Sequence, residues 1–296
     1  MASVLVLGAG VAVSLNWNKA TPVLTARVAT QDIVSKVTAN GKIQARRKVD
    51  LSRYLAPAVL FGLFVGAWEA WVSIGDVKQL LLPSPHAIVG QFFDDFSKLF
   101  EFARNTFMEA FKGVLVGSLG ALVVAAVTYR VAWLARALQS YAATLKALPV
   151  VALYPICTVF FGITSKAVTA IVAVGVAPIV FAYAVRGFSG SSEQDELMRS
   201  ISAGFGIRFR LLVLPRSVPY LMAAMKTAVP TSIIIAVIAQ YFGGRVTTLG
   251  SYIRRESTNL HTLEMWSAIL MSCLLGLACF GAVSLADRYL LRWRRP

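Results

Sequence analysis

Six runs of at least twenty predominantly apolar residues, separated by short polar loops, leave this chain few ways to fold. They are 54–74, 105–129, 138–161, 166–185, 219–242 and 263–285. About twenty such residues carry a helix across a bilayer. Inside lipid every backbone N–H and C=O must find its partner within the protein, and a helix does this along its own length. Composition agrees: 57% of the 296 residues are hydrophobic and only 15% charged, where soluble domains carry about 25% charged residues. The predicted class is all-α: a polytopic helical membrane protein with six spans over 53–296 and an irregular N-terminal extension over 1–52.

The formal net charge is +15. On a soluble domain this would suggest nucleic acid. Here the basic residues flank apolar runs and do not interleave with a stacking face of aromatics, so nucleic-acid binding is not expected. Lys and Arg collect in cytoplasmic loops and orient the spans. Lys42, Arg46, Arg47, Lys48 and Arg53 precede the first span, and Arg130 and Arg136 separate the second from the third. Arg199, Arg208, Arg210 and Arg216 separate the fourth from the fifth, and Arg288, Arg292, Arg294 and Arg295 close the chain. With six spans all four groups fall on the cytoplasmic side, and the polar part of the extension stays there too. The loop 243–262, with Arg245, Arg254 and Arg255, is the outer exception.

The spans carry local detail. Trp68 and Trp71 near the end of the first belong at an interface, and Glu69 between them is read as interfacial. Pro83 and Pro85 forbid a continuous helix, so residues 86–102 are expected as a separate amphipathic helix on the membrane face. Gly113, Gly117, Gly120 and Ala121 share one helix face, where small residues allow close approach. Pro149 and Pro155 in the third span, Pro178 in the fourth and Pro230 in the fifth mark kinks or a solute pathway, because they leave carbonyls unpaired. Cys157, Cys273 and Cys279 each lie in an apolar run without a Cys-x-x-Cys pair. With only His86 and His261 beside them, neither a disulfide framework nor a metal site is expected, and the cysteines read as buried small hydrophobes.

One loop stands apart. Residues 191–220 form the one long polar, basic segment between apolar blocks: SSEQDELMRSISAGFGIRFRLLVLPRSVPY. Glu193, Asp195 and Glu196 come first and the arginines later, which suits a helix with acids at its positive dipole end. Gly204-Phe-Gly206 signals a turn, followed by a second short basic amphipathic piece. A loop of this kind, held at the cytoplasmic surface, can grip a soluble partner.

The extension reads differently. Residues 2–17 are apolar but slightly short for a span. Gly8-Ala-Gly10 is not a dinucleotide fingerprint, because Val13 holds the third glycine position and no βαβ unit follows. Residues 21–52 are polar with strand-like alternation and an Asn40-Gly41 turn signal. Val28, Asp32, Ile33, Val37, Ala39, Gly41, Ile43 and Ala45 match the opening strand of periplasmic adaptor (membrane-fusion) proteins, which this stretch resembles over about thirty residues. Two readings stay open: a joined adaptor N-terminus without adaptor function, and an ordinary polar tail.

From about Tyr54 onward the chain resembles the inner-membrane permease subunits of bacterial ABC importers, in the branch that handles nitrate, sulfonates, taurine and thiamine-precursor pyrimidines. Trp68-Glu69, Leu82-Pro-Ser-Pro85, Leu145-Lys-Ala-Leu-Pro149 with Pro155 and Phe161-Gly162, and Ala239-Gln-Tyr-Phe-Gly243 with Leu249-Gly250 carry the likeness. Gln240 stands where that family usually has an acid. The family's loop pattern, E-A-A-x-x-x-G, nine residues, then I-x-L-P, falls on Glu196, with Ser202 at the glycine and Leu214-Pro215 at the end. The resemblance implies a loop at 191–217 that couples to a cytoplasmic ATP-binding subunit through Glu196, Arg199, Ser202, Gly204, Gly206, Arg208, Leu214 and Pro215. It further implies an extracytoplasmic solute-binding protein, a second permease copy forming a homodimer, and residence in the bacterial inner membrane. The cargo would be a small sulfonate, nitrate or pyrimidine-like solute. No G-x-x-x-x-G-K-[ST] loop is present, so ATP belongs to the partner and this chain holds no cofactor. No nucleophile–base constellation is found either, and the chain is not expected to be an enzyme. Against this stand a secondary transporter or channel, which would hold ionisable residues deep in its spans (Lys226 is the deepest here), and a non-functional fusion.

Overall fold

The computed structural model describes residues 52–75, 77–78, 80–129, 131–147, 149–189 and 192–291. The apolar run 2–17 and the adaptor-like stretch, up to residue 51, lie outside them. Helices α1 (Ser52–Ile74), α2 (Pro85–Asp94), α3 (Phe96–Thr128), α4 (Ala132–Ala147), α5 (Tyr154–Phe161) and α6 (Ser165–Phe188) come first. They are followed by α7 (Ser192–Ser200), α8 (Phe205–Arg208), α9 (Leu214–Phe242), α10 (Leu249–Thr258) and α11 (Thr262–Leu290). Among the described residues five helical segments are long and apolar enough to cross a membrane: α1, α3, α6, the stretch Phe205–Phe242, and α11.

The third expected span is broken. Residues 138–161 divide into the end of α4, a 3-10 turn at Val150–Leu153, and α5. Pro149 and Pro155 cause this. Each removes an N–H from the helical ladder, and the pair lies too close to leave a full helix between them. Pro155 instead occupies the first turn of α5, where the missing donor costs nothing. Pro178 and Pro230 behave differently: α6 and α9 continue through both as single helices.

The expected surface helix over 86–102 is also redrawn. It ends at Asp94, and its last residues belong to α3, which is 33 residues long. Nothing from Phe96 to Lys112 breaks a helix, so the second span extends outward beyond the ~30 Å apolar core. At the other end of the chain's polar loop, the second amphipathic piece does not stop before the fifth span. It runs into α9 through a π-helical turn at Phe209–Val213.

α6 is the centre of the packing, between α3 and α9. Val168, Ile171, Val172, Val176 and Val180 are fully buried on it. Lipid is as apolar as these side chains, so burial alone does not hold the helices together; close backbone approach does. A Cβ at Gly117 would lie 2.5 Å from the Ala173 carbonyl oxygen, and one at Gly113 would lie 2.5 Å from Val172. Gly113, Gly117 and Ala121 therefore form the contact face expected of them, while a Cβ at Gly120 would meet nothing.

α1 is almost wholly exposed and is tied down near its C-terminal end. Glu69 Oε1 lies 2.6 Å from His86 Nδ1, and its Oε2 accepts the His86 backbone N–H. Trp68 meets Trp266 of α11 edge-on, with ring centroids 5.4 Å apart. Glu69 is thus an interfacial acid with a partner on α2. Of the cysteines, only Cys279 is buried; Cys157 is half-buried and Cys273 is exposed on an apolar face.

Candidate partner-docking site

The loop between α6 and α9 is built by local rules at its first bend. α7 opens with Glu193 and Asp195 in its first turn, where the helix dipole favours them. It closes at Ser202, which has φ 53°, and the Ala203 N–H bonds back to the Met198 carbonyl at 3.0 Å. That bond and a left-handed residue one step earlier define a Schellman cap, whose left-handed site normally holds glycine. Ser202 occupies the glycine position of the E-A-A-x-x-x-G pattern. It bears a cost of roughly 1–2 kcal/mol for a Cβ in this conformation. Gly204 and Gly206 were the turn signal in the sequence, yet neither adopts a positive φ.

The same loop exposes apolar side chains. Leu197 and Ile201, one helical turn apart, are each 66% exposed, and Ile207 is 56% exposed. Glu196, Gly204, Gly206, Leu214 and Pro215 are exposed as well. Arg199 lies on α7, but its side chain is outside the described ones.

Behind this face, Asp195 turns inward. It sits 3.6 Å from Arg208 and 3.8 Å from Arg216. Arg216 also donates to the carbonyl of Phe188 at the end of α6. Phe209 of the π-turn packs on Phe188 and on Tyr129, with centroids 5.6 and 6.1 Å away. Arg208 therefore faces inward rather than toward a partner. Sequence reasoning missed Asp195 and Arg216 as a pair with it. Their alternating signs were visible, but not that a turn folds them together.

Two of the prolines singled out in the sequence line separate apolar cavities. Pro178 lines an apolar cavity of about 450 Å³ with Gly117, Ala173 and Phe181. Pro230 lines another of about 590 Å³ with Ile234, Cys273 and Phe280. The deepest cation, Lys226, is paired with Asp287 at 2.7 Å.

At the end of α9 opposite the loop, a buried polar network joins four helices. Glu109 on α3 accepts hydrogen bonds from Ser165 Oγ (2.5 Å) and from Gln240 Nε2 (2.8 Å). Thr106 Oγ1 donates to Gln240 Oε1 and accepts the Leu249 N–H. Gly250 presses against the end of α9, where a Cβ would lie 2.1 Å from the Val237 carbonyl oxygen. Nearby, Tyr252 lies between Lys98 and Arg255, with the cations 4.3 and 4.9 Å from its ring centroid. Glu256 contacts Arg255 and His261 at 2.9 Å each. Burial is the largest single influence and opposes its ionisation, but the hydrogen bonds and charge attraction of His261 and Arg255 together hold the carboxyl below the ordinary carboxylate range. Among the described residues no cluster of His, Cys, Asp and Glu could hold a metal ion.

A stack of long apolar helices around α6, with one polar loop on its basic side, defines a polytopic transport permease. The chain belongs to the family of binding-protein-dependent transport system inner membrane components, whose profile matches residues 100–295. It is similar to the riboflavin transport system permease protein RibX of Chloroflexus aurantiacus, 27% identical over 251 residues, covering 82% of this chain and 93% of that one. It is similar also to the formylaminopyrimidine transport permease protein ThiX of Halalkalibacterium halodurans, 28% identical, covering 81% and 96%. The putative aliphatic sulfonates transport permease protein SsuC of Escherichia coli is 23% identical, covering 81% and 92%. Among solved structures, the inward-facing MetNI methionine ABC transporter shares the fold. Its TM-score is 0.52 at 20% identity, with 68% of this chain and 96% of that chain covered. The chain is an importer permease of the ABC type, resident in the inner membrane.

Proposed function

We propose that the α7–α8 loop is where this permease docks a cytoplasmic ATP-binding subunit, so that ATP-driven closure of that subunit switches the solute pathway. The observation that carries this is the exposed apolar pair of Leu197, on the charged helix α7, and Ile201, directly after its end, both beyond the membrane spans. Lipid does not cover a face on a polar loop, and such a face marks a protein contact. Glu196 stands beside it and supplies charge for a partner's cation. Arg199, Ser202, Gly204, Gly206, Leu214 and Pro215 complete the candidate surface. The chain works as a homodimer fed by an extracytoplasmic solute-binding protein, and it performs no chemistry itself. The solute is a small organic molecule: the named cargoes of the relatives span riboflavin, a formylaminopyrimidine and aliphatic sulfonates. Residues 1–52 are an extension that transport does not need.

Mild-detergent purification of the tagged chain from its native membrane, followed by mass spectrometry, tests the docking. An ATP-binding subunit should be recovered with the wild-type chain and lost with Glu196→Lys or Leu197→Asp. Equal recovery with both variants would remove the assignment.

A further inference from the structure

The π-helical turn Phe209–Val213 lies between the docking loop and the long helix α9, which it feeds without a break. A π-turn carries an extra residue in the helical ladder and is a natural place for a helix to give. Left free, it would absorb any movement of the loop before α9 felt it. Asp195 is placed against that. Its carboxylate sits 3.6 Å from Arg208, the last residue before the π-turn, and 3.8 Å from Arg216, which follows it. One acid on α7 thus bridges both sides of the joint. Arg216 extends the tie to the Phe188 carbonyl at the end of α6.

The three side chains are shielded, at 22% exposure for Asp195, 17% for Arg208 and 15% for Arg216. Among the described residues, Asp195 Oδ1, Arg208 Nε, and Arg216 Nε and Nη1 are buried without a hydrogen-bond partner. The contacts are therefore ionic and not tightly hydrogen-bonded, and one carboxylate serves two guanidinium groups. Removing it would leave two shielded like charges facing each other across the turn.

We infer that Asp195 is a positioning residue that locks the π-turn, so that displacement of the docking loop is passed to α9 as a rigid movement. The inference rests on the docking function proposed above for the loop, but its mechanical part concerns this chain alone. Asp195 does not touch the docked subunit; it acts through Arg208 and Arg216.

Hydrogen–deuterium exchange on the full chain in lipid nanodiscs tests it in two stages. In the permease alone, Asp195→Asn should raise exchange of the Phe209–Val213 amides at least tenfold and leave Val168–Val180 of α6 unchanged. Asp195→Glu, which keeps the charge, should stay within threefold of wild type. Unchanged exchange at the π-turn in Asp195→Asn overturns the proposal, whatever the loop binds. A rise that spreads to α6 also overturns it, because the residue would then be supporting the fold at large. In the second stage the co-purified ATP-binding subunit is trapped with ATP and vanadate. Wild type should respond both at α7 and over Ile233–Phe242; Asp195→Asn should respond at α7 but lose most of the change in α9. An α9 response equal to wild type overturns the proposal while leaving the docking surface standing. No response at α7 in the wild-type complex overturns the docking surface instead, and the transmission with it.

Discussion

The side-chain amide of Gln240, near the outer end of α9, donates a 2.8 Å hydrogen bond to the carboxylate of Glu109, buried on α3. An amide can do this and a second carboxylate cannot. Gln240→Glu would set two buried carboxylates against each other and is expected to destabilise the chain by about 2–3 kcal/mol. Thermal unfolding in detergent would register the loss, and adding Glu109→Gln should restore most of it.

Ser202 holds a left-handed cap conformation with φ 53°. Glycine adopts that conformation without the Cβ clash. Ser202→Gly should therefore stabilise the loop, by about 1 kcal/mol. Slower exchange of the Ser192–Ser200 amides would be the readout, with no change elsewhere.

The α3–α6 contact depends on Gly117. Alanine there would place its Cβ 2.5 Å from the Ala173 carbonyl oxygen, and a backbone oxygen cannot step aside. The helices would have to separate, at a cost of about 1–3 kcal/mol. Gly120→Ala, one turn along on the open face, should be close to neutral. The pair of melting curves isolates the contact from any effect of glycine on the helix itself.

Glu256 gives the outer corner a pH dependence. Its carboxyl is held below the ordinary range when folded. Its ionised form therefore stabilises the corner fully above the ordinary carboxylate value, and that contribution is lost as pH falls through the lower folded value. The protection of the α10 amides, after correction for the intrinsic slowing of exchange in acid, should fall on acidification through that window. Glu256→Gln should show lower α10 protection at neutral pH and little further loss of protection in acid.

Much of the architecture was legible from local pattern. Apolar length marked most of the spans, and the acid-then-base order of residues 193–216 marked the loop. Where reading failed, the cause was again local: two prolines six residues apart divided a span of sufficient apolar length. A helix without breakers between Phe96 and Lys112 absorbed part of what the proline pair at 83 and 85 suggested was a separate surface helix. Gly204 and Gly206 drew attention as turn residues, while the conformation that needs glycine fell on Ser202. The family pattern had named that position, but the geometry behind it lay in a cap.

By itself the sequence determined that this chain lives in a membrane, and it marked the one long polar loop between apolar blocks. Length, hydropathy and charge act through solvent and need no knowledge of neighbours. Only the tertiary structure decided how the polar residues pair. Glu109 and Gln240 are 131 positions apart, and Asp195 meets two arginines on either side of a π-turn that no periodicity announces. Inside lipid an apolar helix face is nearly indifferent to its neighbour, so close glycine contacts and buried polar bonds choose the arrangement. Those are properties of pairs, which exist only once the helices have come together.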